Sequence, residues 1–329
     1  AAAKVASVSG NWSNTATWGS AAVPVAGDTV TINSGITVTV DTAAACSTVT
    51  FAAATASSLI TISGTNSLTV TGLISMPRPS AGSTVTIAVG AGTLSAGSLT
   101  MSATTAGRND ILSISTGSAT ISGALTTGAA GCRFTFTGTG TLTFGGATTV
   151  GLSTITTVAG STVKYSNAGA QTVIQGTYNN LTLAASGAKT TTTTTVNGIL
   201  SMEGTTTASA APTYAAAATL QYNSTHTAGA EWRTPFVASG GVIINTGTIT
   251  LNAAKVFNVT APLTINNGAT LASSTFLLTL NGNLINNAGT TSGSGGVTIT
   301  GTGTQSIGSF TTTGTVSMTK AGGTATFTG

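Results

Sequence analysis

A strict two-residue alternation constrains this chain more than any other feature. TVTINSGITVTVD (29–41) alternates Val or Ile with Thr, and the pattern recurs in SLTVTG (67–72), STVTIAVG (83–90), RFTFTGTGTLTF (133–144), GTITLN (247–252), GVTITGTG (296–303) and GTATFTG (323–329). Such alternation puts apolar side chains on one face of a strand and Thr on the other. Thr, Val, Ile and Phe all favour strands. Gly, Asn and Ser separate the runs, with Asn-Gly turn signals at 197–198, 267–268 and 281–282. The Ala-rich stretch 211–222 has neither an apolar stripe nor a cap, so no helix is expected.

A longer period lies over the first. Leu or Val anchors flanked by Thr or Ser stand at Leu125, Leu142, Val163, Leu181, Leu200 and Leu220, and again at Leu263, Leu280, Val297 and Val316. An imperfect repeat of roughly 20 residues, made of short strands and Gly/Asn corners, suits a β-solenoid. The expected fold is all-β, a single right-handed parallel β-solenoid of about 15 short coils. Residues 1–45 form an N-terminal cap with the first strands, and 46–329 form the solenoid, interrupted by an irregular loop near 223–236. Tandem β-sandwiches would need repeats near roughly 100 residues and Pro-rich linkers, whereas the chain has six Pro and three Trp.

Composition narrows the function. Charged residues are 4% of the 329, against roughly 25% in an ordinary domain. The five acidic residues are Asp28, Asp41, Asp110, Glu203 and Glu231, and His226 is the one His. Clustered carboxylates, metal sites and Ser-His-Asp triads have almost nothing to build with, so the chain reads as no enzyme, with no catalytic residue, metal or cofactor. Asp28 and Asp41 are too few ligands for Ca²⁺ and read as turn caps. The nine Lys/Arg are too dispersed to form a nucleic-acid-binding face. No segment reaches the roughly 18-residue apolar run of a membrane helix.

Cys46 and Cys132 allow one disulfide in an oxidising compartment. Four coils between them would span roughly 19 Å, too far for a bond that needs Cα atoms within about 7 Å. Two buried thiols are therefore favoured, and a disulfide survives only if one cysteine lies on a loop that folds back.

Two segments carry a family resemblance. Residues 10–41, with Trp12, Trp18, Pro24, Gly27-Asp28, a Val-Thr-Ile strand and Gly35, resemble the N-terminal segment of many large bacterial surface proteins and the start of the G8 domain of extracellular proteins. Residues 171–204, with Tyr-Asn-Asn-Leu-Thr-Leu, a turn from Gly187 to Lys189 and Thr-Val-Asn-Gly-x-Leu, resemble a repeat of secreted β-helical, adhesin-like surface proteins. The resemblance implies export and a secreted or cell-surface role, not catalysis.

Candidate contact residues follow. Trp12 and Trp18 would close the first rung, or stack on a sugar. The island 223–236 holds His226, Glu231, Trp232, Arg233 and Pro235. It reads either as a contact loop for a subunit or glycan, since Trp and Arg anchor interfaces, or as an irregular loop with a local ion pair. A catalytic pairing of Glu231 with Glu203 ranks last. The C-terminal stretch 309–329, with Lys320 and Phe327, runs in strand pattern and is expected to offer an open sheet edge. The leading expectation is a secreted structural subunit that joins copies of itself head to tail, through that edge and the first residues AAAKVASVSG, into a filament or surface layer. A glycan-binding adhesin module is the alternative. Ice binding ranks third: Thr-x-Thr recurs, but alternation alone generates it and its spacing shows no fixed phase. Four glycosylation sequons stand at Asn11, Asn180, Asn223 and Asn258.

Overall fold

The computed structural model describes residues 1–329. It is all-β, with parallel strands stacked as β-solenoid coils, about 15 in all. The one helical turn is a 3₁₀ segment, Thr15–Trp18. The chain divides into two compact units, Ala1–Asn179 and Asn180–Gly329.

In the first unit, successive coils place strands alternately on two sheets. One sheet includes Ala3–Ala6, Thr29–Ile32, Thr48–Phe51, Ser67–Met76, Thr93–Met101, Ser118–Ile121, Thr141–Phe144 and Thr162–Tyr165. The other includes Thr37–Val40, Ser58–Ile62, Thr84–Val89, Asn109–Ile114 and Cys132–Phe136. The second unit has three faces, represented by Thr219–Tyr222, Thr248–Thr250 and Lys255–Phe257 with the strands stacked on each. The alternation works as the sequence requires: in Thr141–Phe144, Leu142 and Phe144 are buried and the two Thr face outward.

Coil length varies. It falls from 26 residues (Leu68 to Leu94) to 25 (Leu94 to Ala119), 23 (Ala119 to Leu142) and 21 (Leu142 to Val163), and is 19 between Leu181 and Leu200. The anchors Leu142/Val163, Leu181/Leu200/Leu220 and Val297/Val316 are therefore true partners. Leu263 instead stacks on Leu284, and Leu280 on Ile299. Extra residues at a corner shift the apparent period without moving the strands out of register.

The core is a set of columns. Phe134, Phe144, Tyr165 and Tyr178 stack with ring centroids 5.5, 5.2 and 6.4 Å apart in turn, and the two Tyr hydroxyls meet at 3.0 Å. Polar groups enter the interior where they can bond the backbone of a neighbouring coil. Gln171 donates to Phe144 O and Gly146 O at 2.9 and 2.8 Å, and Gln305 does the same to Leu280 O and Gly282 O at 2.9 Å each. Along one corner of the second unit, Asn287 donates to Asn266, Asn266 to Asn245 and Asn245 to Asn223, at 3.0, 2.9 and 2.8 Å. This amide ladder takes up the sequon residue Asn223.

Two corners of the first unit are glycine columns. A Cβ on Gly123 would lie 2.3 Å from Gly97 O, and one on Gly146 2.1 Å from Gly123 O, because each coil's carbonyl is the hydrogen-bond acceptor of the next, as in Gly123 N to Gly97 O at 2.6 Å. Gly123→Ala is thus expected to cost about 1–3 kcal/mol through overpacking, read as a lower midpoint in thermal unfolding. Gly27→Ala, where a Cβ meets nothing within 4 Å, should leave the midpoint unchanged or slightly raised.

Candidate functional site

At the N-terminus, Asn14 caps the 3₁₀ turn by accepting from Ala16 N, and Gly19 ends it in the left-handed region at φ 65°. The turn delivers Trp18 edge-on to Trp12, with centroids 5.0 Å apart and 72° between planes, and Trp18 Nε1 donates to Trp12 O at 2.8 Å. Both rings are 2% exposed, so neither presents a face to a sugar, and together they close the first rung. The first residues, expected to take part in pairing between copies, are held in the chain's own sheet: Ala3–Ala6 pairs in parallel with Thr29–Ile32, and Ala6 is fully buried.

Asp28 and Asp41 both fasten backbone. Asp28 accepts from Ala2 N at 2.6 Å and Val25 N at 3.2 Å, and these bonds hold its carboxyl below the usual range. Burial opposes ionisation of Asp41, but bonds from Ser13 N (3.0 Å) and Ser13 Oγ (2.6 Å) outweigh it. No three His, Cys, Asp or Glu side chains gather in a way that would hold a metal ion.

Cys46 and Cys132 are both free and buried, so no disulfide forms. Cys132 lies in the strand Cys132–Phe136 opposite Asp110, and its thiol donates to Met101 O and Ala103 O at 3.3 Å. Burial pushes the Cys46 thiol up to about 12. Asp110 is fully buried; Oδ2 accepts from Ala103 N at 2.8 Å while Oδ1 has no partner. Desolvation pushes its carboxyl up to about 7, against bonds from Ala103 and Ser102 that lower it.

The island 223–236 folds inward. His226 lies in the strand His226–Thr227, is 6% exposed, and meets the Thr206 carbonyl through Nε2. Glu231 is buried, and its Oε1 accepts from Tyr222 OH and Gly229 N at 2.7 Å each. The carboxylate lies close over Gly229, where a Cβ would come 2.8 Å from Glu231 Oε2. Trp232 is 2% exposed, packed between Tyr222 and Phe257 at 5.8 and 5.9 Å. Lys255, itself buried, donates to Trp232 O at 3.1 Å and lies 5.7 Å from the Trp232 ring. Burial lowers the Lys255 ammonium pKa while the Glu231 charge opposes that shift. Glu231 Oε2 and Trp232 Nε1 are buried without partners.

Of the island's residues named above, Arg233 and Pro235 are exposed, at a groove of about 230 Å³ lined also by Tyr214, Thr234, Phe236 and Val237. Sequence reasoning missed Lys255, Tyr214 and Tyr222, which make the island a core plug. The signal was present: Lys255 shares strand parity with the apolar Phe257, so it must point inward, and Glu231 is the acid one coil earlier.

At the other end, Lys320 donates to Gln305 Oε1 at 2.6 Å and Gly303 O at 2.8 Å, tying the last coils together. Phe327 stacks on Ile307 in register but is 57% exposed. No helix is long and apolar enough to cross a membrane. No family model, no curated protein and no solved structure matches the chain.

Two outcomes follow. Trp232→Ala should lower stability by about 3–5 kcal/mol, whereas Arg233→Ala should stay within about 0.5 kcal/mol, both read by denaturant unfolding. For Asp110 the unfolded carboxyl ionises near the ordinary aspartate value of 3.8, and burial pushes the folded one up to about 7. The stability of the neutral form is thus full below the unfolded value and is lost as pH rises toward the folded one. The thermal midpoint should fall between about pH 4 and pH 7, and Asp110→Asn should flatten that slope.

Proposed function

We propose that the chain is an extracellular structural β-solenoid, not an enzyme, whose coils join copies of itself end to end into a filament or surface layer. One observation carries this reading. Three core columns finish on exposed side chains: Leu278–Val297–Val316, Leu280–Ile299–Met318 and Leu284–Ile307–Phe327. Val316, Met318 and Phe327 are 51, 54 and 57% exposed, although their partners in the preceding coil are buried. Each would gain up to about 2 kcal/mol on full burial, and Val316 and Phe327 border a depression of about 490 Å³ lined also by Ile307 and Phe310.

A second copy supplies the covering coil. Within residues 1–329 the strand Ala3–Ala6 pairs with Thr29–Ile32 and Ala325–Thr328 pairs with Gln305–Gly308, and the proposed contact sets these two strands against each other across copies. Because Ala3–Ala6 is already part of a sheet, the contact is edge to edge and not the donation of a free strand. Such a heterologous contact does not close on itself and gives a filament. The low charge leaves little repulsion between copies. The resemblance of 10–41 and 171–204 to secreted surface proteins supports the extracellular setting. The glycan-binding alternative loses its aromatic platforms, since Trp12, Trp18 and Trp232 are all buried.

Purified protein should form concentration-dependent end-to-end assemblies in light scattering and negative-stain microscopy, and the double variant Met318→Lys, Phe327→Asp should remain monomeric with an unchanged circular dichroism spectrum. A wild-type chain that stays monomeric at every concentration, or a variant that assembles like wild type, would sink the proposal.

A further inference from the structure

We infer that one outer face of the first unit is an ice-binding surface. The face belongs to the strands Ser67–Met76, Thr93–Met101, Ser118–Ile121, Thr141–Phe144 and Thr162–Tyr165. Register pairs Ser67, Thr93, Ser118, Thr141 and Thr162 into one outward column, and Thr69, Ser95, Thr120, Thr143 and Lys164 into a second. Nine of these ten positions carry a hydroxyl, and none of the nine hydroxyls is used in a hydrogen bond within the chain. Rungs lie about 4.8 Å apart, and alternate residues of a strand about 6.6 Å. The result is a two-dimensional lattice of hydroxyls at fixed intervals.

The lattice is held rigidly from below. Behind it run Leu68, Leu94, Ala119, Leu142 and Val163, and Val70, Ala96, Ile121, Phe144 and Tyr165, every one buried. Glycine corners flank each middle rung, Gly92 and Gly97, then Gly117 and Gly123, then Gly140 and Gly146. The corners keep bulky side chains from the margins of the face, and their close approach locks one coil's phase to the next.

Alternation alone does not produce this face. On the other sheet of the same unit the matching outward column reads Leu59, Thr86, Ile111, Arg133. In the second unit outward positions include Ile199, Gln221, Ile243 and Ile285. Hydroxyl columns occur elsewhere, but Ala88 interrupts Thr61, Ser113 and Thr135, and Ala272 interrupts Thr250 and Ser292; the two-column array of five rungs stands on one sheet, and its phase is hidden in the sequence because its rungs are 26, 25, 23 and 21 residues apart.

The chemistry of the face selects its ligand. The first four rungs carry no charge, so an ionic ligand has nothing to pair with. No aromatic ring faces outward from these strands, so a sugar ring has no stacking platform. What matches is a neutral ligand that repeats at hydrogen-bonding distances in two dimensions, namely the surface water of an ice crystal. Each hydroxyl contact is weak, but ordering of the array is already met by folding, so many contacts add with little further entropy cost.

The test uses the whole chain in two forms, wild type and the dispersed Met318→Lys, Phe327→Asp variant, so that end-to-end assembly and ice binding are read separately. Both should shape ice crystals and inhibit ice recrystallisation at micromolar concentration. Thr120→Lys with Thr143→Lys, outward substitutions that leave the circular dichroism spectrum unchanged, should raise the concentration needed at least tenfold. Thr86→Lys on the other sheet should not. Absence of ice shaping by both forms, full activity in the Thr120→Lys, Thr143→Lys variant, or retention on crystalline cellulose or chitin in place of ice would overturn the inference.

Discussion

Everything in this molecule depends on parallel, in-register stacking of one coil on the next. In that arrangement each side chain sees its own equivalent about 4.8 Å above and below. An inward position must therefore suit a column, not a site, and Val, Ile, Leu, Ala and Phe do so because apolar contact is non-directional. A polar residue enters the column only when the neighbouring coil offers backbone. Gln171 and Gln305 satisfy this in the same way, each bridging two carbonyls of the coil before. Asp110 does not fully satisfy it: one of its oxygens has no partner, and its carboxyl is held near neutrality's edge by desolvation.

A translational repeat also leaves each end with a problem that the middle does not have. Stability in such a stack is close to a sum of nearest-neighbour terms, so a terminal coil has half the contacts of an internal one. The first coil meets this with the Trp12–Trp18 pair and the Asp28 carboxylate that holds Ala2. The last strands have Lys320 tied to Gln305, but Val316, Met318 and Phe327 stay exposed at the ends of their columns. The first and last coils described thus differ in chemistry, and in the proposed head-to-tail contact that asymmetry would set the direction.

The strands and their parity were legible in the sequence because a two-residue alternation survives any change in loop length. Coil register was not. Val297 and Val316 are partners at 19 residues, yet Leu68 and Leu94 are partners at 26, and no fixed spacing finds both. The glycines at 117, 123, 140 and 146 were the better guide, since they bracket a strand of constant length while the rest of the coil varies. The island 223–236 misled for another reason. His226, Glu231, Trp232 and Arg233 read as a polar surface loop by composition, whereas Tyr222, Gly229 and Lys255 supply the interior partners that draw three of the four inside. A local string of polar residues cannot reveal that Lys255 in the next coil and the Thr206 carbonyl in the one before complete its surroundings.

The scarcity of charge follows from the same geometry. A charged residue repeated at one position of successive coils would face its like at about 4.8 Å, a repulsion of roughly 1 kcal/mol per pair in water and several times that near a protein surface. Hydroxyls and amides escape this. Asn is special among them because its side chain both donates and accepts, so that identical residues can bond in a row without a net cost. The ladder Asn223–Asn245–Asn266–Asn287 uses that property along a corner, whereas the Ser/Thr columns on the face are neutral without bonding one another. In the second of those columns the array ends where Lys164 takes the place of a hydroxyl. A single charge at the margin has no like neighbour in its column and costs little, whereas the same charge repeated through the middle would both repel its own copies and break the neutral lattice.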